Sequence, residues 1–306
     1  ELRHWIQLTG VPCVSSLMGL GAYPASHPQF LGMVGMHGTY EANMAMQQAD
    51  VVLALGVRFD DRVISVPEKY LATAKKIIHI DVDPSSIAKR VPVDVPIVGD
   101  IKLALQTMTH QWEEKQLILD HKGLQCWWEG IEQWRGRKSL SYLDDERIIK
   151  PQYVIESLAQ LTRNRAYIAS DVGQHQMFVA QYYPFEKSRQ WFNSGGLGTM
   201  GVGLPYAMGA QLALPQETIF CVTGDGSIQM NIQELSTCYQ FKLPIKIINL
   251  NNQYLGMVRQ WQEFYYEGRY SHTYMDSLPD FVKLAQAYGH VGMRIEKKAD
   301  VLPALK

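Results

Sequence analysis

One acid stands between two glycines directly after a run of apolar residues. Asp225 lies in "TGDGSIQMNIQEL" (223–235), behind the strand-like "TIFCV". Glycine lets a backbone come close to a ligand, and the N–H groups at the start of a helix favour a phosphate. A carboxylate favours a hard divalent cation such as Mg²⁺, which takes oxygen ligands and keeps phosphate oxygens and water. The stretch therefore predicts either an ordinary turn or a site for a metal and a diphosphate.

A second oxygen ligand follows the next strand-like run. "IKIINLNN" ends in Asn251 and Asn252, and Asn252 comes 27 residues after Asp225. A parallel strand–helix–strand unit returns the chain to the same edge of the sheet, where ligands bind in open α/β folds. We expect Asp225 and Asn252 to meet there, which favours the metal–diphosphate interpretation. Asn231 and Glu234 have the spacing of a capping box at the start of the intervening helix.

A different cofactor is suggested by "GLGTMG" (196–201), which fits the dinucleotide fingerprint GxGxxG. The match follows a possible strand and precedes a helix, and Asp225 stands near the position of a ribose-binding acid. Against this interpretation, the acid of a nicotinamide site closes a strand alone, whereas Asp225 is embedded in a second glycine turn. The nicotinamide interpretation is the minor alternative.

Strand-like and helix-like runs alternate along the chain in two groups. Continuous Val/Ile/Leu runs between helices are typical of parallel sheets covered on both faces. Between the groups, 113–150 is charged and aromatic and has no strand signal. We predict an α/β fold with two doubly wound, mostly parallel-sheet domains, 1–112 and 151–306, joined by a long linker, with a late strand at "VGMRI" (291–295). Three tryptophans of the linker are expected at the domain seam: Trp127, Trp128 and Trp134.

The totals exclude several classes of function. The chain has 306 residues, 46% of them hydrophobic, and a net charge of −1, so it lacks the basic surface typical of nucleic-acid binding. No apolar run approaches the roughly 18 residues of a membrane span. The four cysteines have no metal or disulfide spacing, and no signal-peptide pattern is visible. We expect a cytoplasmic protein with free thiols that binds neither nucleic acid nor a membrane.

The motifs together resemble one enzyme family. The GDGS motif followed by "NN" is similar to the diphosphate-binding motif of thiamine diphosphate enzymes. Further stretches resemble the large, catalytic subunit of acetohydroxyacid synthase (acetolactate synthase): "GLGAYPASHPQFLGMVGMHGTYEAN", "GVRFDDRV", "HIDVDPSS", "DVGQHQM", "GGLGTMGVGLPYAMGA" and "NNQYLGMVRQWQ". The resemblance covers nearly the whole chain.

For 151–306 the resemblance implies a thiamine diphosphate site with Mg²⁺. The metal ligands would be Asp225, Asn252 and the backbone oxygen of Tyr254. The remaining cofactor contacts would come from one set of residues: Gln174, His175, Gly198, Met200, Gly224, Gly226 and Ser227.

In this family three apolar side chains would shape the reaction space, meaning the volume in which the cofactor meets its substrates. Met200 would hold the cofactor bent, since a thioether fills an irregular gap against a ring. Met257 would lie over the active site. Trp261 would shape the pocket for the second 2-oxo acid, where one methylene is worth only about 1–3 kcal/mol of discrimination.

For 1–112 the resemblance implies an FAD-binding domain whose flavin does no net redox work. Flavin or adenosine contacts would come from a second set of residues: Met36, His37, Gly38, Arg58, Asp60, Asp81 and Asp100. Arg62 would bind the carboxylate of the incoming 2-oxo acid, because a guanidinium can bind a carboxylate bidentately.

The implied reaction is carboligation. Pyruvate loses CO₂, and the remaining two-carbon unit joins a second 2-oxo acid to give 2-acetolactate or, from 2-oxobutanoate, 2-aceto-2-hydroxybutanoate. This is the first common step of branched-chain amino-acid biosynthesis. The family also implies a homodimer with its active site at the subunit interface and a regulatory small subunit.

Two features of the family match no residue of this chain. A glutamate of an N-terminal domain starts the reaction in the family, and a C-terminal tail is usual, so we expect these 306 residues alone to be inactive or nearly so. Two alternatives stay open. One is another thiamine diphosphate decarboxylase, oxidase or carboligase, such as pyruvate oxidase or glyoxylate carboligase, against which Trp261 and Arg62 argue. The other is a non-catalytic, cofactor-binding remnant.

Overall fold

All pairings between neighbouring strands are parallel in the part of the chain that the computed structural model describes, residues 1–73 and 75–306. The chain divides into two compact units, Glu1–Ser141 and Tyr142–Lys306. Both units combine parallel strands with helices, which confirms the predicted α/β class.

The first unit contains a two-stranded and a three-stranded parallel sheet. The smaller sheet pairs β1 (Cys13–Ser15) with β2 (Phe30–Met33). The larger has the order β3–β4–β5 and consists of β3 (Val51–Leu55), β4 (Lys76–Asp81) and β5 (Val95–Val98). Its helices are α1 (Leu2–Thr9), α2 (Tyr40–Gln48), α3 (Pro67–Tyr70), α4 (Ile101–Glu114) and α5 (His121–Arg135), with a 3-10 turn at Leu17–Gly19.

Helix α5 belongs to the first unit, although the sequence placed it in the linker. Ile131 is fully buried in a core cluster with apolar residues of β2 and α2, and the three linker tryptophans pack against the same cluster. Trp128 also donates its indole N–H to the carbonyl of Gly10 at 2.9 Å. The unit therefore extends to Ser141 rather than ending near residue 112. The charged face of α5 obscured the apolar face that packs inward.

The second unit is built on a four-stranded parallel sheet of order β7–β6–β8–β9. Its strands are β6 (Tyr167–Ser170), β7 (Trp191–Phe192), β8 (Ile219–Gly224) and β9 (Lys246–Leu250). Its helices are α6 (Pro151–Thr162), α7 (Gln174–Tyr182), α8 (Gly203–Ala213), α9 (Asp225–Ile228), α10 (Glu234–Gln240), α11 (Gly256–Tyr265), α12 (Phe281–Ala287) and α13 (Val301–Leu305), with 3-10 turns at Gly195–Leu197, Gln229–Asn231 and Lys298–Asp300.

The strand order of this sheet reverses direction between β6 and β8. After β6 the chain adds β7 on one side and then crosses back to add β8 on the other. Ligands in open parallel sheets bind outside the carboxyl ends of the strands at such a switch point. All six residues of β8 are buried, so this strand fixes the position of whatever follows it.

The predicted late strand at 291–295 does not form in the described residues. Val291 is 90% exposed and Met293 is 63% exposed. A strand needs a pairing partner for its backbone, and the segment has none there. No helix of the described residues is long and apolar enough to cross a membrane.

His79 is a buried polar group in the core of the first unit. It lies in β4 with no exposed surface, and its ring packs edge-on against Phe59 at a centroid distance of 5.4 Å. Neither ring nitrogen makes a hydrogen bond of good geometry in the described residues. Burial lowers the pKa of His79, with the charge of Asp81 and the nearby backbone of Val57 acting in the opposite direction.

We predict that His79 makes the chain less stable in mild acid. The unfolded state binds a proton near pH 6.5 and the folded state resists it, so the free energy of unfolding falls as the pH drops below about 6.5. Between pH 7.5 and 5.5, His79 should contribute up to about 1.4 kcal/mol to the loss seen in urea unfolding, and His79→Phe should reduce the loss by that amount while the contribution of the buried His175 stays. The exposed His110→Ala serves as the control and should keep the wild-type difference. An equal pH dependence in wild type and His79→Phe would rule out this role.

Candidate functional site

Asp225 is a buried carboxylate that no side-chain cation neutralises. It opens α9 directly after β8 and is 2% exposed. Its Oδ1 accepts the N–H of Gly226 at 2.8 Å, and its Oδ2 accepts the N–H groups of Asn252 at 3.0 Å and Gln253 at 2.5 Å. None of the ion pairs in the described residues includes Asp225. Burial raises the pKa of Asp225 against the effect of these N–H groups, so the ionised form would gain from a bound cation.

The turn after β9 is held against this carboxylate. The N–H groups of Asn252 and Gln253 bond to Asp225, and the Oδ1 of Asn252 accepts the N–H of Tyr254 at 3.0 Å. This side-chain bond two residues along the chain is an Asx turn, which brings the amide oxygen beside the backbone of Tyr254. The three residues predicted as metal ligands therefore lie in one hydrogen-bonded unit.

The loop after β6 reaches the same place. Gln174 starts α7, and its amide lies beside the first residue of α11, Gly256. A Cβ on Gly256 would collide with the Oε1 of Gln174 and would lie 3.1 Å from the Nδ2 of Asn252. A side chain on residue 256 would therefore displace the Gln174 amide from this position. The carboxyl ends of β6, β8 and β9 thus contribute to one site.

His175 is packed between two glycines of the site. A Cβ on Gly173 would lie 2.6 Å from its Cε1, and a Cβ on Gly224 would lie 2.7 Å from its Nδ1. Burial lowers the pKa of His175 to about 3, although a hydrogen bond to the backbone of Asp171 acts in the opposite direction. The ring is therefore neutral at ordinary pH. Its Nε2 is buried and has no partner in the described residues, so it is available to a bound group.

Asp171 is a second buried carboxylate, and no sequence motif indicates its role. It follows β6, is fully buried, and accepts the N–H groups of Val172 at 2.9 Å and Gly201 at 2.7 Å on Oδ1. Its Oδ2 accepts the hydroxyl of Thr223 at 3.3 Å. Burial raises the pKa of Asp171 against these donors. Asp171 therefore ties β6, β8 and the glycine-rich loop together.

The glycine-rich loop is held at the residue that follows Met200. Gly201 donates its N–H to Asp171, and its carbonyl accepts the side-chain N–H of Asn231 at 2.9 Å. The predicted capping box is wrong, because Asn231 bonds to Gly201 and no side chain caps α10. Gly198 is exposed and has a φ of +60°. Met200, which is half-buried, stands between the exposed Gly198 and Thr199 and the fixed Gly201.

The remaining predicted residues of this unit lie on α9 and α11. Ser227 is buried and donates its hydroxyl to the carbonyl of Val172 at 2.9 Å, which joins α9 to the loop after β6. Met257 and Trp261 are four residues apart on α11 and share one face of that helix. Trp261 also packs on Tyr265, with ring centroids 5.0 Å apart.

In the first unit, the loops around residues 35–38 and 58–62 come together. Met36 donates its N–H to the carbonyl of Arg62 at 2.9 Å. Arg58 and Asp60 form an ion pair at 3.0 Å. Burial lowers the pKa of His37, and the charge of Arg62 lowers it further. The structure thus gathers most of the residues predicted beside a flavin, including Gly38.

Asp81 and Asp100 lie at the carboxyl ends of neighbouring strands. The carbonyl of Asp81 accepts the N–H of Gly99 at 3.0 Å, directly before Asp100. Each carboxylate also has a local role. Asp81 accepts the N–H of Asp83 at 2.9 Å, and Asp100 caps α4 by accepting the N–H of Leu103 at 3.1 Å. The sequence could not separate these turn and cap roles from ligand binding.

Comparison with protein families matches both units of the chain. Residues 171–306 match the thiamine pyrophosphate enzyme, C-terminal TPP binding domain, and residues 1–108 match the thiamine pyrophosphate enzyme, central domain. Thiamine pyrophosphate is another name for thiamine diphosphate. The site at the switch point lies within the first of these matches.

Sequence identity to individual proteins shows which thiamine pyrophosphate enzymes the chain is similar to. The chain is 58% identical over 295 residues to acetolactate synthase isozyme 3 large subunit of Escherichia coli, which covers 96% of this chain and 51% of that protein. It is 54% identical over 301 residues to acetolactate synthase large subunit of Buchnera aphidicola, and this match covers 98% of this chain and 52% of that protein. Acetolactate synthase of Mycobacterium leprae is 44% identical to the chain over 310 residues, and this match covers 100% of the chain and 49% of that protein. The chain therefore belongs to the thiamine pyrophosphate enzymes and, among them, is homologous to acetolactate synthase large subunits. It spans about half the length of these curated relatives.

We predict that Asp171→Asn destabilises the second unit. The amide supplies one acceptor oxygen where the carboxylate supplied two, so a buried donor loses its partner at a cost of about 1–3 kcal/mol. Urea unfolding should register this loss, and hydrogen exchange at the Gly201 amide should become faster. Asp276→Asn, at an exposed carboxyl, is the matched control and should stay within about 0.5 kcal/mol of wild type. Unchanged stability and unchanged exchange in Asp171→Asn would show that the carboxylate does not hold the loop.

Proposed function

We propose that this chain carries the Mg²⁺–diphosphate site of a thiamine diphosphate-dependent acetolactate synthase. The observation that supports this most is the buried carboxylate of Asp225, which has no counter-ion among the described residues and lies at a switch point of the sheet beside Asn252. The homology to acetolactate synthase large subunits supports the choice of reaction.

The residues of the site fit the proposed cofactor and metal. Asp225, the Oδ1 of Asn252 and the backbone oxygen of Tyr254 would bind Mg²⁺, an oxygen set of the kind that this ion prefers. Gln174, His175, Gly224, Gly226 and Ser227 would surround the diphosphate. The unpartnered Nε2 of His175 supports the fit, since a buried polar atom without a partner is costly unless a ligand reaches it. When bound, thiamine diphosphate would supply an electron sink for decarboxylation.

The apolar residues would position the reactants. Asp171 and Asn231 hold Gly201 from both sides, so they would fix where Met200 and Gly198 face the cofactor ring. Met257 and Trp261 would form one wall of the reaction space and exclude water from it. A flat indole suits the alkyl group of a second 2-oxo acid, so 2-oxobutanoate would compete with pyruvate there. Arg62 would bind a substrate carboxylate.

FAD is proposed for the first unit. What supports it is the match to the central domain, together with the loops of residues 35–38 and 58–62 that pack against each other. Asp81 and Asp100, at neighbouring strand ends, would accept hydrogen bonds from the adenosine half.

The wider assembly is proposed by homology. A homodimer, a regulatory small subunit, a cytoplasmic location and a role in branched-chain amino-acid biosynthesis are proposed for the whole protein in which this sequence acts. The family's catalytic glutamate matches none of these 306 residues, so the isolated chain is expected to bind its cofactor without appreciable turnover. Identification of 2-acetolactate as the product from pyruvate separates this activity from that of an oxidase or another carboligase.

We predict that Asp225→Ala weakens Mg²⁺-dependent binding of thiamine diphosphate by about 100-fold or more, since it removes the charged ligand. Asp225→Asn removes the charge and keeps one acceptor oxygen, which can still accept the N–H groups of Asn252 and Gln253 but then leaves the N–H of Gly226 without its partner. It should weaken binding as well. Calorimetric titration of each chain in Mg²⁺ measures the change. Asp276→Ala, which removes an exposed carboxylate, is the control and should bind as wild type does. Wild-type affinity in Asp225→Asn would contradict the assignment of the metal site.

A further inference from the structure

Residues 270–275, here called the strap, lie along the turn that follows β9. Leu255 donates its N–H to the carbonyl of Thr273 at 2.8 Å, and Met275 donates to the carbonyl of Gln253 at 2.9 Å. The hydroxyl of Thr273 bonds to the Oε1 of Gln262 at 3.1 Å, which fastens the strap to α11. The strap is therefore hydrogen-bonded to the turn after β9 and to α11.

A cavity of about 370 Å³ lies between the strap and α11. Its walls are Tyr254, Arg259 and residues 270–274. Ligand sites in proteins commonly occupy about 300–1,000 Å³, so the cavity has room for one small molecule. Its walls combine three tyrosine rings, the imidazole of His272 and a single guanidinium.

Arg259 is a cation without an anion in the described residues. Its guanidinium carbon lies 4.1 Å from the ring centroid of Tyr254 and 5.3 Å from that of Tyr270. No carboxylate there forms an ion pair with it. Stacking on rings holds a guanidinium in place and leaves its N–H edge free to bind a carboxylate. The guanidinium thus lies beside two rings, and none of its N–H groups bonds to the described residues.

The cavity is distinct from the proposed reaction space. Arg259 lies two residues from both Met257 and Trp261 on α11, and residues two apart on a helix do not share a face. The wall residue Tyr254 is common to both sites, but it lines the cavity with its ring.

We propose that this cavity binds a small monocarboxylate with a flat apolar body, with Arg259 as its counter-ion. The single guanidinium matches one carboxylate through a bidentate pair, and the aromatic walls favour a ligand with a flat apolar body over an inorganic anion. The rings of Tyr254, Tyr270 and Tyr274 give the apolar body an aromatic surface to pack on. The inference stands independently of the proposed acetolactate synthase activity.

The test is calorimetric titration of the 306-residue chain with benzoate, in a chloride buffer without other carboxylates. Benzoate should bind saturably at one site. Acetate, which lacks the ring, and benzyl alcohol, which lacks the charge, should each bind about 10-fold more weakly or worse. Equal binding of benzoate and benzyl alcohol would overturn the proposal, and this comparison needs no variant.

Variants locate the site. Arg259→Met keeps an apolar side chain of similar length, and it should weaken benzoate binding about 10-fold or more while leaving the thermal midpoint near that of wild type. Arg269→Met removes an exposed arginine outside the cavity and should bind benzoate as wild type does. No saturable binding at roughly 10 mM benzoate, or equal affinity in wild type and Arg259→Met, would overturn the proposal.

Discussion

The second unit is organised around a buried carboxylate that has no counter-ion in the part of the chain that the structure describes. Ionised groups in a low-dielectric interior are costly unless charge or hydrogen bonds compensate them. Asp225 receives three backbone N–H groups, two of them from the turn after β9. These donors stabilise the negative charge but do not neutralise it. The sheet must therefore bring the ends of β8 and β9 to one edge, and the site remains favourable for a divalent cation that also attracts a diphosphate.

Asp171, which follows the neighbouring strand β6, is a second buried carboxylate that accepts several hydrogen bonds. It joins β6 to β8 through Thr223 and to the glycine-rich loop through Gly201. The two carboxylates act differently. Asp225 fixes the turn that carries the proposed metal ligands, whereas Asp171 fixes the loop that carries Met200. The glycines around His175 leave room for its ring, so Gly224 has a packing reason as well as the proposed contact with the diphosphate.

The sequence predicted the parallel sheets and the meeting of Asp225 with Asn252, because strand patterns are local and parallel connections return the chain to one edge. It missed the role of Asp171, whose partners Gly201 and Thr223 lie 30 and 52 residues away without a shared motif. It assigned Asn231 to a helix cap because local spacing does not reveal a bond to Gly201. It placed α5 in a linker because exposed charges outnumber the few buried side chains, such as Ile131, that hold the helix to the core.

The most direct measurement is the Mg²⁺ dependence of thiamine diphosphate binding by the unaltered chain. Titration calorimetry in Mg²⁺ should give saturable binding at one site, because the metal neutralises Asp225 and bridges it to the diphosphate. The same titration in EDTA should be weaker by roughly 10- to 100-fold. Equal affinity in Mg²⁺ and in EDTA would contradict the account, since the buried carboxylate would then have no part in holding the cofactor.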